Sequence, residues 1–141
     1  MSDMIYPRSP RETMAGWAYL PRFVDKIRLH LAGKLHAEYA ENFTQGFDGY
    51  WLKAAGLNAE QVIELVRCSV TDGEVCDWIR THVKKSDAER EQCNSYILNR
   101  GREEEVELRS RLEMRKAQAG LSHRDDIQTF VDFIDADEKR G

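Results

Sequence analysis

Apolar residues recur at every third or fourth position along most of this chain. Phe47, Tyr50, Trp51, Ala54 and Ala55 lie on one face of a helix that Gly56 closes. Val62, Leu65 and Val66 repeat the spacing, as do Val75, Trp78, Ile79, His82 and Val83. Cys93, Tyr96 and Ile97 form a shorter stripe, and Ile127, Phe130, Val131 and Ile134 a last one. A helix opening at Pro21 and ending near Gly33 places Leu20, Phe23, Val24, Ile27 and Leu31 on one side. Leu29 falls on the other side, so two of its faces are expected to be covered.

Short polar residues stand where helices should start. Ser9, Asn58, Thr71, Ser86 and Ser122 each precede an acid or amide by three residues, at Glu12, Gln61, Glu74, Glu89 and Asp125. That spacing lets the two side chains bond each other's backbone N–H groups. Pro10 and Gly16 then bracket an expected helix of one to two turns, and 34–46 reads as a polar connector. Residues 102–119 predict a mostly solvated helix touching the core through Leu108 and Leu112, with Glu105–Arg109 and Glu107–Arg111 in the favourable order. No alternating strand pattern or internal repeat is present. The expected fold class is all-α: a single compact bundle of roughly six to eight helices with no sheet. Residues 1–141 are expected as one helical domain, with 1–8 an extended arm and 136–141 a candidate disordered tail. The helix beginning at Pro21 should be central, with the last helix beside it.

Three segments carry a family resemblance. The first is Arg8-Ser9-Pro10-Arg11-Glu12 with the run from Gly16 to Arg28 and Leu31-Ala32-Gly33. The second is Phe47-Asp48 and Trp51-Leu52, then Gly56 and the run from Thr71 to Trp78. The third runs from Arg124 to Glu138, where Phe130 and Val131 replace a Trp-Phe pair. Together they resemble the bacterial family catalogued as domain of unknown function 5069. The resemblance implies a compact helical bacterial protein and brings no known reaction with it.

Composition narrows the classes of function. A net charge of −4, concentrated in the tail, leaves no basic footprint for nucleic acid. No apolar run is long enough to span a membrane, and Met1-Ser2-Asp3-Met4 does not start a secretory signal. Cys68, Cys76 and Cys93 lack CxxC spacing and read as free thiols of a reducing cytoplasm.

Two charged clusters are the candidate sites. Arg22, Asp25, Lys26 and Arg28 share a helix surface, where Asp25 lies one turn from both Arg22 and Arg28; guanidinium forks suit carboxylate or phosphate. Trp17 beside them offers an aromatic wall over a basic floor. Asp132 and Asp135, one turn apart, crowd a helix end whose dipole prefers cations. Asp132 and Asp135 could share a hard cation such as Mg²⁺ or Ca²⁺. The structural alternatives are an ion-pair ladder fixing the first helix against the tail helix and, for the tail acids, a helix that ends before Asp135 with the acids paired to Arg8, Arg11 or Arg22. His30, His36, His82 and His123 lack metal-ligand spacing, and no catalytic motif, cofactor motif or metal set is found.

The reading that follows is a non-enzymatic small-ligand-binding or protein-interaction module. Its candidate ligand-binding residues are Trp17, Arg22, Asp25, Lys26, Arg28, Asp132 and Asp135, and its partner is a small anionic ligand or a protein. Arg22→Ala should then remove ligand binding and leave stability nearly intact. The competing classes are a metal-assisted hydrolase-like bundle and an oligomeric scaffold, the latter a homodimer through helix 102–119.

Overall fold

Residues 13–18 make a hairpin, where Ser9 and Pro10 had suggested a short helix running to Gly16. In the computed structural model, which describes residues 5–101 and 106–140, strands β1 (Thr13–Met14) and β2 (Trp17–Ala18) pair antiparallel. Ala15 and Gly16 join them at φ 53° and 83°. Two successive left-handed residues are what a two-residue hairpin needs, so Gly16 turns the chain where it had been expected to stop a helix. The expectation of no sheet is therefore corrected, although helices dominate. Ser9 accepts a backbone bond from Glu12, closing a turn.

Eight helices follow among the described residues: α1 (Leu20–Leu31), α2 (Ala37–Ala40), α3 (Gly46–Ala55), α4 (Ala59–Arg67), α5 (Asp72–His82), α6 (Asp87–Asn99), α7 (Val106–Gln118) and α8 (Phe130–Asp137). Capping boxes start α4, α5 and α6 at Asn58, Thr71 and Ser86, as the spacing predicts. The fourth box is Thr129 with Asp132, so α8 begins seven residues later than Ser122 had implied. α2 lies inside the segment read as a connector. Glu105 and its expected pair with Arg109 lie outside the described residues.

The core gathers around α1. Leu20, Phe23, Val24 and Ile27 are fully buried, whereas Leu31 is exposed. Trp51 of α3 meets both Trp17 and Phe23 edge-to-face with centroids 5.9 Å apart. β2 is fastened to α6 by Asn94, which accepts from Ala18 N at 2.9 Å and donates to the Gly16 carbonyl at 3.0 Å. α1 packs against α4 and β1, while α8 packs mainly on α6 and α7. The tail helix was expected beside α1; it reaches α1 through long side chains instead. No helix among the described residues is long and apolar enough to cross a membrane.

Gly101 is where α6 ends against α8. Its φ is 105°, and a Cβ there would stand 3.3 Å from both Phe130 Cδ2 and Thr129 Cα. Gly101→Ala is expected to lower the unfolding free energy by more than about 1 kcal/mol in urea melts.

Candidate functional site

Arg22 and Lys26 sit one turn apart on α1, yet each belongs to a separate buried pair. Lys26 Nζ lies 3.2 Å from Asp48 Oδ1 and donates to Tyr19 Oη at 3.1 Å. Tyr19 donates to the same Asp48 oxygen, and Thr44 N donates to Asp48 Oδ2 at 2.9 Å. Asp48 is placed in the first turn of α3, where the dipole and exposed N–H groups favour a carboxylate. Burial pushes the Lys26 ammonium below the ordinary lysine value, against the pull of Asp48. Burial first, and Asp48 second, push the Tyr19 phenol well up. Tyr19 itself holds φ 75°, an outlier for an aromatic residue, which turns the chain from β2 into α1.

Arg22 meets the other end of the chain. Its Nη1 and Nη2 donate to Glu138 Oε1 and Oε2 at 2.9 and 2.7 Å, and both side chains are 4% exposed. Tyr39 donates to Oε2 at 2.7 Å, and its ring lies under the Arg22 guanidinium at 5.5 Å. Arg140 also donates to Glu138 and ties the tail to the Pro7 carbonyl. Burial alone would raise the Glu138 carboxyl; Arg22, Tyr39 and Arg140 together hold it below its usual value.

Asp25 is flanked otherwise than the helical spacing suggested. Arg8, not Arg22 or Arg28, grips it, through its backbone N at 2.8 Å and its guanidinium at 2.9 and 3.0 Å. Arg8 and Arg28 converge instead on Asp72 in the first turn of α5, at 2.9 and 2.7 Å.

Asp132 and Asp135 face a shallow polar cavity of about 170 Å³ between the N-terminal segment and α8. Arg11 donates to both, with its Nε 3.0 Å from Asp135. Arg124, Asp126 and Arg140 complete the polar rim. Asp126 is held at about 2 by its bidentate partner Arg124.

Of the expected ligand-binding residues, only Asp132 and Asp135 line one cavity together. Trp17 is corrected: at 2% exposure it is a core residue against Trp51 and offers no wall to a ligand. Arg22 and Lys26 have their charges satisfied inside the protein, and Asp25 and Arg28 are drawn to Arg8 and Asp72. Sequence reasoning did not single out Tyr39, Asp48, Asp72, Arg124 or Arg140. Tyr39 and Arg140 have partners 99 and 133 residues away, at Glu138 and Pro7, and no local spacing reveals such pairs; Arg124 pairs instead with Asp126, two residues on.

Neither Cys68 nor Cys93 is an activated thiol. Glu64 raises the Cys68 thiol, and burial raises Cys93 to about 11. His82 is exposed; it binds the Trp78 carbonyl at 2.9 Å and stacks on the Trp78 ring. Among the described residues no three His, Cys, Asp or Glu side chains are grouped to hold a metal ion.

The family model described as Domain of unknown function (DUF5069) matches residues 4–140. The chain belongs to that family. No curated protein matches it. The DUF5069 match takes in both ends of the chain, and so both partners of the Arg22–Glu138 and Arg11–Asp132 pairs.

Proposed function

We propose that this DUF5069 protein is a non-enzymatic binding module for a small anion, seated in the cavity lined by Arg11, Arg124, Arg140, Asp132 and Asp135. One observation carries the reading: the carboxylates of this cavity are spent, and Arg11 keeps N–H groups to spare. Asp132 Oδ2 already accepts from Gln128 N at 2.9 Å and Thr129 N at 3.2 Å, and its Oδ1 from Arg11. Asp135 accepts from Arg11 and from Arg140. Among the described residues Arg11 donates two such bonds, to Asp132 and Asp135, of the five N–H groups a guanidinium carries, and its side chain is 49% exposed. Unspent fixed donors beside saturated acceptors favour an incoming anion. A water takes about 30 Å³ of liquid volume, so the cavity suits a phosphate or carboxylate head rather than a large cofactor.

Inorganic phosphate should raise the melting temperature above that in sodium chloride of the same ionic strength. Arg11→Ala should abolish that rise and change the unliganded stability by no more than about 1 kcal/mol, because the pair is exposed. A melting temperature indifferent to phosphate and to a panel of small phosphates and carboxylates would remove the proposal.

A further inference from the structure

Glu138 sits in its surroundings as a ligand sits in a receptor. Its carboxylate meets a bidentate guanidinium, a phenol and a second guanidinium, from Arg22, Tyr39 and Arg140. This is the geometry by which proteins recognise free carboxylates. Its own helix holds it by the backbone, with Glu138 N donating to the Ile134 carbonyl at 2.9 Å, and opposes its charge. Glu138 caps the C-terminal end of α8, which carries Asp135 and Asp137 and no basic residue in its last turn. The helix dipole opposes all three acids there. Burial, Glu38 and Glu138 push the Asp137 carboxyl up, a sign that negative charge is crowded at this end. Lys139 follows at φ 65°, a conformation glycine adopts without penalty and lysine does not.

The wall that closes the clamp is also lightly held. Tyr39 belongs to α2, four residues with none buried. The segment is bounded by Gly33 at φ 70° and Gly46 at φ 55°, and no atom stands within 4 Å of where a Cβ would lie at either. Phe43 anchors the far end of the segment against Phe23 and His30. Phe43 thus tethers one end of the segment, and half-buried Tyr39 is the side chain by which α2 itself meets the clamp, the arrangement of a small lid.

We propose that Arg22, Tyr39 and Arg140 form a carboxylate-binding site whose resident occupant is the chain's own Glu138, and that a free small carboxylate takes its place when α2 and the tail open. The site stands apart from the Arg11 cavity, sharing only Arg140 with it. If Glu138 leaves without a replacement, Arg22 remains buried beside Lys26 with a single carboxylate, Asp48, for the two cations. An incoming carboxylate restores the missing charge and both hydrogen bonds of the fork.

The test is chemical rescue in the full-length protein, with sodium acetate as the probe and sodium chloride of equal ionic strength as the control. Glu138→Ala should melt several degrees below the parent, and acetate should raise it by clearly more than it raises the parent. Arg22→Met combined with Glu138→Ala should lose that excess, while Arg11→Ala combined with Glu138→Ala should keep it, which separates this site from the phosphate cavity. An equal response of parent and Glu138→Ala to acetate would overturn the proposal. Hydrogen exchange on the parent protein reads displacement directly, whether or not the variant folds. Acetate should speed exchange in residues 131–140, and protection unchanged by acetate would also overturn it.

Discussion

Arg22→Ala is expected to lower the unfolding free energy by about 3–5 kcal/mol at neutral pH, because it strands a buried carboxylate. The reasoning runs from burial. Arg22 and Glu138 are each 4% exposed, and Glu138 keeps only Tyr39 and Arg140 once the fork is gone. Glu138 is largely shielded from water, so much of its desolvation is left uncompensated. This reverses the expectation drawn from helical spacing alone, under which Arg22 stood on an open surface and its loss was nearly silent. Replacing both partners by apolar residues, Arg22→Met with Glu138→Leu, should recover most of the loss. The pH dependence carries the same signature. The folded chain holds Glu138 below its ordinary value of 4.5, so between that depressed value and 4.5 the unfolded chain binds more protons. The stabilisation is complete above 4.5 and is lost as the pH falls through the depressed value. Asp72 and Asp132, also held low against their burial, add to the same acid limb. The apolar double variant should therefore show a shallower loss of stability in urea melts taken from pH 7 down to about 3.

Asp48→Ala should cost a similar amount, about 3–5 kcal/mol, and its effect should depend on pH in the opposite range. Asp48 is fully buried and serves three donors: Tyr19, Lys26 and Thr44 N. Its removal leaves Lys26 buried without a counter-charge. Lys26 already titrates below 10.5 in the folded chain, and losing Asp48 removes the contact that raises it, so the value falls further. Between that lowered value and 10.5 the unfolded chain binds the extra proton, so stability rises with pH across this window. The deficit of Asp48→Ala against the parent should then shrink between pH 7 and about 9.5, as Lys26 sheds its proton in the folded state. Readings belong below pH 10, because the Tyr19 phenol is pushed up and acts with the opposite sign above it. A deficit that stays constant over this range would mean that Lys26 is not the stranded charge.

The helices were legible because their signals are local. Asn58, Thr71 and Ser86 cap where the three-residue spacing places them, and the stripe from Leu20 to Ile27 is the buried face of α1. The same rule failed at Ser9, because Ala15 and Gly16 both take left-handed backbone and the chain doubles back as a hairpin. It misplaced the start of α8, because Thr129 with Asp132 has the same spacing as Ser122 with Asp125 and forms the better cap. The charged clusters were legible as clusters and not as pairs. Asp25 lies one turn from Arg22 and Arg28, and that proximity implied a shared surface. Tertiary structure instead sends Arg22 to Glu138 and Arg28 to Asp72, and gives Asp25 to Arg8. Arg11 does pair with Asp132 and Asp135, as the structural alternative had it, although α8 runs on to Asp137 and does not end before Asp135. Trp17 shows the limit of reading exposure from a linker position. Two glycine-like turns fold it into the core, which no periodicity of three or four positions reports.

A double-mutant cycle on Arg22→Met and Glu138→Leu, read by urea unfolding of the full chain, tests directly whether one buried contact joins the two ends of this protein. The structure predicts that each single change destabilises strongly and that the pair together loses far less than the sum, with a coupling of about 3 kcal/mol or more. Additivity within about 0.5 kcal/mol would show that Arg22 and Glu138 do not meet, and the clamp, the lid and the carboxylate site would go with them.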